Sequence, residues 1–176
     1  RGAATNEYLL AFKELWTSDS PSFAGKYCQF SDVQFLPKPV QKPHPPIWVG
    51  GQSRAAIRRA AELGNGWHPV GAIPAVPLEP EELAENVATL HRFAERAGRD
   101  PAELDVAMKT PLYDPGTGSG GPRRRFSGTS EQVLQDIQTY SDVGVSHIIF
   151  DIRGADLGQA LERLDWFAGD IMAQAS

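Results

Sequence analysis

The sequence has little of what marks several classes of protein. It contains one cysteine, Cys28, among 176 residues, which excludes an internal disulfide framework and fits a reducing cytoplasm. Its 17 basic residues are outnumbered by 22 acidic ones and form no evident basic face, so we expect no nucleic-acid partner. No apolar run approaches the ~20 residues that span a bilayer, and we therefore predict no membrane segment.

Several catalytic and targeting patterns are also absent. One cysteine and four scattered histidines give no metal-ligand spacing, so no metal site is predicted. No G-x-S-x-G nucleophile elbow occurs. The first residues, RGAATNEY, lack the apolar core of a signal peptide, which favours a cytoplasmic protein. Because the chain starts with Arg1 rather than methionine, we expect that upstream residues are missing.

The most informative stretch of the sequence is PPIWVGGQSRAAIRRAAELGNGW at 45–67. We interpret it as a strand, a glycine turn, a helix and the start of the next strand. The two prolines exclude helix, and the apolar run at 47–49 is typical of a parallel strand buried on both faces. Gly50 and Gly51 permit a sharp turn, and Ser53 suits the N-cap of a helix that stops at Gly64. The apolar face predicted for that helix consists of small and branched residues: Ile57, Ala60 and Ala61.

The junction between this strand and this helix carries the chemical signal. Its unpaired backbone N–H groups lie at the positive end of the helix dipole, which suits a phosphate. The Ser53 hydroxyl and the Arg54 charge add to that potential. The alternative is a tight strand-to-helix turn with a serine cap, because a short glycine motif that matches neither the P-loop nor G-x-G-x-x-G is a weak signal.

The rest of the chain alternates helices and strands, with no hairpin signal. We predict one domain over 1–176, with an irregular excursion at 18–46 and a mobile loop at 111–128. Four aromatic residues of the excursion are expected to pack across the body of the protein: Phe23, Tyr27, Phe30 and Phe35. The predicted helices are 5–17, 79–98, one capped by Thr129 with Gln132 and ending near Gly144, and one marked by Leu157, Leu161, Leu164 and Phe167. The further predicted strands are 66–70, 104–109 and 147–152.

This order indicates a parallel α/β sheet with right-handed crossovers. Two architectures remain open from the pattern alone, a doubly wound open sheet and part of a (β/α)8 barrel. A whole barrel needs about 250 residues and eight strands, and only four strands are visible. Periodicity by itself slightly favours the open sheet.

Five segments resemble the bacterial luciferase-like family of (β/α)8 oxidoreductases, in particular its branch that uses the deazaflavin coenzyme F-420. They are ELW at 14–16, F-x-G at 23–25, PKPVQKPHPPIWVGG at 37–51, SRAAIRRAAELGNGW at 53–67 and the later GV-x-H-I-I-F strand. The resemblance implies the C-terminal half of a TIM barrel, from the helix after strand four through strand eight. Since such a half leaves two open edges, we expect a homo-oligomer or a missing N-terminal half.

The resemblance also implies a cofactor site at the carboxyl ends of the strands, for FMN or coenzyme F-420. Its phosphate would contact the turn after the first strand of this half, and two residues of the next strand would line the pocket: Gly50, Gly51, Gln52, Ser53 and the amide of Arg54, then Trp67 and His68. Trp67 is equally consistent with core packing. Further candidates at the same rim are Lys109, Thr110, Asp151 and Arg153.

The implied activity is hydride transfer between the cofactor and a small organic substrate, or oxygenation by reduced FMN. Catalytic residues are not identified, because the family's first four strands, which usually supply them, have no counterpart. We expect this chain alone to be inactive, and the alternative is a non-catalytic half-barrel that binds or assembles. Arg123, Arg124 and Arg125 suit an anion clamp, although a solvated mobile loop is the favoured interpretation, and His44 is interpreted as a loop residue.

Overall fold

The computed structural model describes residues 2–112 and 123–174. Within these ranges no helix combines the length and apolarity that crossing a membrane requires. A short 3-10 helix lies at Pro101–Glu103, and a π-helical turn lies at Phe167–Met172. The elements in chain order are α1 Gly2–Thr17, β1 Phe23–Ala24, β2 Gln29–Phe30, β3 Trp48–Gly50, α2 Arg54–Leu63, β4 Gly66–His68, α3 Pro80–Arg96, β5 Asp105–Pro111, α4 Ser130–Asp142, β6 His147–Asp151 and α5 Leu157–Trp166.

The main sheet has four parallel strands in the order β3-β4-β5-β6, so each strand lies beside the next one in sequence. A doubly wound sheet reverses its strand order at a switch point, whereas a barrel does not. The register pairs Val49 with Trp67 and Trp67 with Val106, and on the other side Met108 with Ile148. The sequential order therefore decides between the two predicted architectures in favour of the partial (β/α)8 barrel.

The two faces of the sheet differ sharply in burial. Side chains alternate along each strand, so the paired residues Val49, Trp67 and Val106 share one face with Met108, and all four belong to the buried core with the helices. Trp48 lies on the other face and is 37% exposed, whereas Ala107 on that face is fully buried. Among the described residues, the helices pack on the face that carries Val49 and Trp67, as in the outer layer of a barrel.

The helices lie where the sequence predicts, although α1 begins at Gly2, before the predicted start at residue 5. The Ser53 side chain accepts a hydrogen bond from the amide of Ala56 and caps α2, whose Ile57, Ala60 and Ala61 are buried. In α3, Pro80 occupies the first turn, and the buried stripe is the predicted one: Leu83, Val87, Leu90 and Ala94. The capping box of α4 is also present, with Thr129 and Gln132 bonding reciprocally. Small alanines on α2 allow α2 and α3 to pack closely over β3 and β4.

The excursion after α1 contains a structure that the sequence analysis missed. β1 and β2 form an antiparallel pair in which Phe23 lies opposite Phe30, although no hairpin was predicted. A residue distant in sequence holds the loop between these strands. The Glu7 carboxylate on α1 accepts hydrogen bonds from the backbone amides of Lys26, Tyr27 and Cys28, at 2.9, 2.6 and 2.7 Å. A Cβ on Gly25 would collide with that carboxylate, which explains the glycine of the F-x-G motif.

The expected packing of the excursion is only partly correct. Phe23 and Phe30 are half-buried and stack on each other. Tyr27 and Phe35 instead lie exposed, with the ammonium groups of Lys26 and Lys38 over their rings. A lysine over an aromatic face provides favourable contact without burial.

One expectation about burial is wrong. The strand at 47–49 was predicted to be buried on both faces, yet Trp48 lies on the face of the sheet opposite the helices and is 37% exposed. The predicted apolar stripe of the last helix is present in α5, where Leu157, Leu161 and Leu164 are exposed. β6, which precedes α5, is the edge strand opposite β3.

The segment 123–128 is anchored by one buried carboxylate. Asp136 of α4 is fully buried and accepts hydrogen bonds from Arg123 at 2.6 and 2.8 Å, from Arg125 at 3.3 Å and from the amide of Phe126 at 2.7 Å. Arg123 and Arg125 are therefore ion-pair partners of a buried carboxylate rather than a free anion clamp, while Arg124 is exposed. Residues 113–122 of the loop predicted at 111–128 lie outside the described residues.

Asp136→Asn is expected to lower the free energy of unfolding by about 1–3 kcal/mol at pH 7, because two guanidinium groups and an amide lose a charged acceptor. Chemical denaturation of the variant and the original chain measures this. Asp142→Asn is the matched control, since Asp142 lies on the same helix and is exposed. An equal effect of both substitutions would contradict the anchoring role.

The same carboxylate predicts a pH dependence. Burial alone would raise the pKa of Asp136, but the bonds from Arg123 and the Phe126 amide outweigh it and hold that pKa below its usual range. A pKa depressed in the folded state gives stability that is present above the unfolded value of about 4 and is lost as the pH falls through the folded value. The stability gap between the original chain and Asp136→Asn should therefore shrink below about pH 4.

Candidate functional site

The carboxyl ends of the four parallel strands meet at one rim of the sheet. β3 ends at Gly50, β4 at His68, β5 at Pro111 and β6 at Asp151. In barrels of this type, binding groups are carried at this rim. The sequence-predicted candidates from Gly50 to Arg54, with His68, Lys109, Asp151 and Arg153, lie in or directly after these strand ends.

The turn 50–53 has the shape expected for close approach of a ligand. Gly51 has φ of +101°, and a Cβ there would meet the Cβ of Ala56 at 3.2 Å. The indole nitrogen of Trp67 donates to the Gly51 carbonyl at 2.7 Å, and the Gln52 side-chain amide donates to the Val70 carbonyl at 2.5 Å. The turn is therefore tied to β4 and to the residues that follow it.

The groups around this turn suit an anion. The first backbone N–H groups of α2 have no acceptor within the helix. They project from its N-terminus, which is the positive end of the helix dipole. Residues 50–54 include no acidic side chain, while Ser53 and Arg54 are exposed beside the turn. The Arg54 guanidinium carbon lies 5.3 Å from the centre of the Phe93 ring, which holds the charge against α3. Amides, a hydroxyl and a cation form a donor set that fits a phosphate.

Trp67 and His68 have different positions. Trp67 is fully buried in the core, so it supports the turn through its indole bond to Gly51. His68 is half-buried, stacks on Trp48 with ring centres 6.1 Å apart, and its Nδ1 lies 2.6 Å from the carbonyl oxygen of Ala107. Since a carbonyl only accepts, Nδ1 is the donor in this contact and Nε2 is not engaged by it.

A cluster of three charged side chains, Lys109, Asp151 and Arg153, lies at the ends of β5 and β6. Arg153 donates to Asp151 at 2.6 and 3.0 Å, and the Lys109 Nζ lies 3.9 Å from the same carboxylate. The hydrogen bonds from Arg153 lower the pKa of Asp151. Thr110, by contrast, is fully buried and its hydroxyl donates to the Pro111 carbonyl, so its side chain does not face the rim.

A pocket of about 320 Å³ adjoins this charged group, and several of its lining residues were not predicted. Its walls are Ile73, Pro111, Leu112, Asp151, Arg153 and Arg163. Arg163 comes from α5 and Ile73 from the loop after β4, so only the tertiary fold brings them together. Strand ends could be found from the sequence, whereas loop and helix contributions could not.

Other candidates lie away from the rim or are structural. His44 contacts the Pro45 carbonyl at 2.8 Å and its ring lies 5.9 Å from that of Trp16, in agreement with a loop residue. Arg58 pairs with Glu62 one turn along α2. Within residues 2–112 and 123–174, no group of three His, Cys, Asp or Glu side chains is placed to hold a metal ion.

The family profile of luciferase-like monooxygenases matches residues 1–113, which run from α1 through β5. The chain belongs to the luciferase-like monooxygenase family. An FMNH₂-dependent dimethylsulfone monooxygenase of Pseudomonas putida is 42% identical over 64 residues, which are 36% of this chain and 17% of that protein.

Solved structures of similar fold extend over nearly the whole chain. Monooxygenase RslO1 from Streptomyces bottropensis has a TM-score of 0.76 at 19% identity and is matched over 97% of this chain and 60% of its own. A coenzyme F-420 dependent tetrahydromethanopterin reductase from Methanopyrus kandleri has a TM-score of 0.72 at 16% identity, with 96% and 62% covered. This luciferase-like chain therefore spans less than two thirds of these relatives and carries part of their barrel.

Gly51→Ala is expected to destabilise the chain by about 1–3 kcal/mol, because alanine at positive φ is strained and its methyl group would press on Ala56. Gly50→Ala is the control, since a Cβ there would meet only the His68 carbonyl at an ordinary 3.7 Å. Thermal and urea unfolding of both variants measures the difference. Equal stability of the two would show that the turn does not depend on the Gly51 conformation.

Proposed function

We propose that this chain holds the cofactor phosphate of a flavin- or deazaflavin-dependent oxidoreductase or monooxygenase, at the turn 50–54. The observation that carries the proposal is the arrangement of Gly51 at positive φ, directly before the N-terminus of a ten-residue helix, with the Ser53 hydroxyl beside it. FMN and coenzyme F-420 are the cofactors considered, because relatives of this chain are described as FMNH₂-dependent and coenzyme F-420 dependent.

The position of each group in the site suggests a separate role for it in binding the cofactor. The backbone amides of the turn, Ser53 and Arg54 would bind and orient the phosphate, while buried Trp67 keeps the Gly51 carbonyl turned away from it. His68 contacts the Ala107 carbonyl through Nδ1, so Nε2 is the ring nitrogen that remains for a contact with a ligand. When bound, either cofactor supplies hydride transfer to or from a small organic substrate, and reduced FMN also activates oxygen.

Lys109, Asp151 and Arg153 would contribute to the substrate side of the rim. They carry a net positive charge, since one carboxylate lies between two cations, and the adjoining pocket adds the apolar side chains of Ile73 and Leu112. A small organic molecule with an apolar body is the substrate class that suits such walls.

A second candidate, a half-barrel that binds without catalysing, is favoured by one specific observation. The described sheet has four strands and both of its edges are open, so the concave face where a reaction would be enclosed is accessible to water. Excluding water is a large part of what a cofactor enzyme's protein contributes. Binding of cofactor without turnover by this chain would favour this candidate.

The test is a fluorescence titration of the purified chain with FMN and with coenzyme F-420. We expect micromolar binding of at least one cofactor, and a loss of roughly tenfold or more in Ser53→Gly, because a hydrogen bond to a charged acceptor is removed. Glycine keeps most of the capping function, so α2 should remain folded. Thr129→Gly, the same change at the cap of α4, is the matched control. No binding by the folded chain, or equal losses in both variants, would contradict the proposal.

A further inference from the structure

The pocket at the carboxyl ends of β5 and β6 has the size and the walls of a site for a small molecule. Its volume of about 320 Å³ is at the lower end of the range of about 300–1,000 Å³ that is typical of such sites. It combines three apolar residues with three charged ones: Ile73, Pro111, Leu112, Asp151, Arg153 and Arg163. The charged residues determine what kind of molecule it can hold.

Arg153 is fixed at the pocket by a two-point contact. Its Nε and Nη2 donate to the two carboxylate oxygens of Asp151 at 3.0 and 2.6 Å, which sets the plane of the guanidinium group. A guanidinium group has five N–H donors, and a two-point contact leaves the others for further acceptors. The Arg153 side chain is 80% exposed, so a ligand in the pocket can reach those donors.

Lys109 brings a second positive charge to the same carboxylate. Its Nζ lies 3.9 Å from Oδ2 of Asp151, which is too far for a hydrogen bond, and its side chain is 44% exposed. The loop after β4 holds its backbone in place: the Lys109 amide donates to the carbonyl of Pro69, and its carbonyl accepts from the amide of Gly71, each at 2.9 Å. The cluster of Lys109, Asp151 and Arg153 thus contains two cations and one carboxylate.

The bland interpretation is a solvated ion pair, since most exposed pairs of arginine and carboxylate contribute little. Two features of the surroundings favour a binding site. The cluster lies at the carboxyl ends of barrel strands, where barrel enzymes bind their substrates. It also borders a concave surface with the apolar side chains of Ile73 and Leu112, which a solvated pair does not require.

We propose that this pocket binds a small organic anion with an apolar body, and that this anion is the substrate. Arg153 contacts the anionic head group, Asp151 positions the guanidinium group of Arg153, and Lys109 contributes positive charge. Ile73 and Leu112 contact the apolar body. The inference rests on the proposed function, because the anion is taken to be the molecule on which the cofactor acts.

The head group and the cofactor phosphate would occupy different places at the rim. The turn 50–54 follows β3, whereas the pocket lies at β5 and β6, and β3 and β6 are the two edge strands of the sheet. Three strand spacings separate them, which is about 14 Å along the sheet. The two anion sites can therefore be tested independently.

The test is an NMR titration of the chain at pH 7 with hexanoate and with hexanamide, which has the same apolar body and a neutral head group. We expect hexanoate to cause saturable shifts of the backbone amide signals of Leu112, Asp151 and Arg153. Hexanamide should bind roughly tenfold more weakly or less tightly still, because it has no charge to pair with the guanidinium group. Hexanesulfonate and hexyl phosphate are titrated in the same way, and the tightest of the three anions identifies the head group. If none of them bound more tightly than hexanamide, the proposal would be overturned.

A matched pair of variants assigns the binding to Arg153. Arg153→Gln should weaken binding of the tightest anion by roughly tenfold or more, because charge-assisted hydrogen bonds to the head group are lost. Arg92→Gln is the control, since Arg92 is exposed on α3 and donates to Thr89 of the same helix. Lys109→Gln should weaken binding by a smaller factor than Arg153→Gln. Equal affinities of the Arg153 and Arg92 variants, each with an amide spectrum of a folded chain, would overturn the proposal.

Repeating the titration with cofactor present separates this inference from the proposed function. With FMN or coenzyme F-420 bound, the anion should still shift the signals of Asp151 and Arg153. If the cofactor abolished these shifts and Arg153→Gln weakened cofactor binding, the cluster would be the cofactor's own anion site, and the inference would be wrong. Cofactor binding at the turn 50–54 without anion binding at the pocket would overturn the inference alone. Anion binding at the pocket without binding of either cofactor would contradict the proposed function and the substrate role.

Discussion

The parallel pairing of four strands in sequence order is the constraint on which the rest of the structure depends. It brings all strand ends to one rim, puts Val49, Trp67 and Val106 under the helices, and leaves the opposite face concave and open. The same strand pairing thus positions both the hydrophobic core and the candidate site. Trp67 connects them directly, since the indole that fills the core also holds the Gly51 carbonyl of the turn.

Local signals were sufficient for most elements. Ser53, Thr129 and Pro80 mark helix starts by chemistry that acts within one turn, and each is found where it was predicted. The turn after β3 was also predictable, because two glycines between an apolar run and a capped helix allow few conformations. Sequential strand order was not visible in periodicity, which slightly favoured an open sheet; the family resemblance carried the barrel prediction.

Features that depend on distant residues were missed. The β1–β2 pair has weak local propensity and is held by Glu7, about twenty residues away. Asp136, in the middle of an amphipathic helix, gave no sign that it would be buried under two arginines. The exposure of Trp48 and of Leu161 could not be predicted from alternation or helical spacing. Those patterns identify the apolar face of a strand or helix, but they do not show whether another part of the described chain packs against it.

The central claim is that the turn 50–54 contacts a cofactor phosphate, and the most direct measurement is an amide NMR titration comparing FMN with riboflavin, which has the same ring without the phosphate. The account predicts that FMN shifts the amide signals of Gly51, Ser53 and Arg54 and that riboflavin leaves them nearly unchanged. Equal shifts with both ligands, or shifts confined to other parts of the rim, would contradict it.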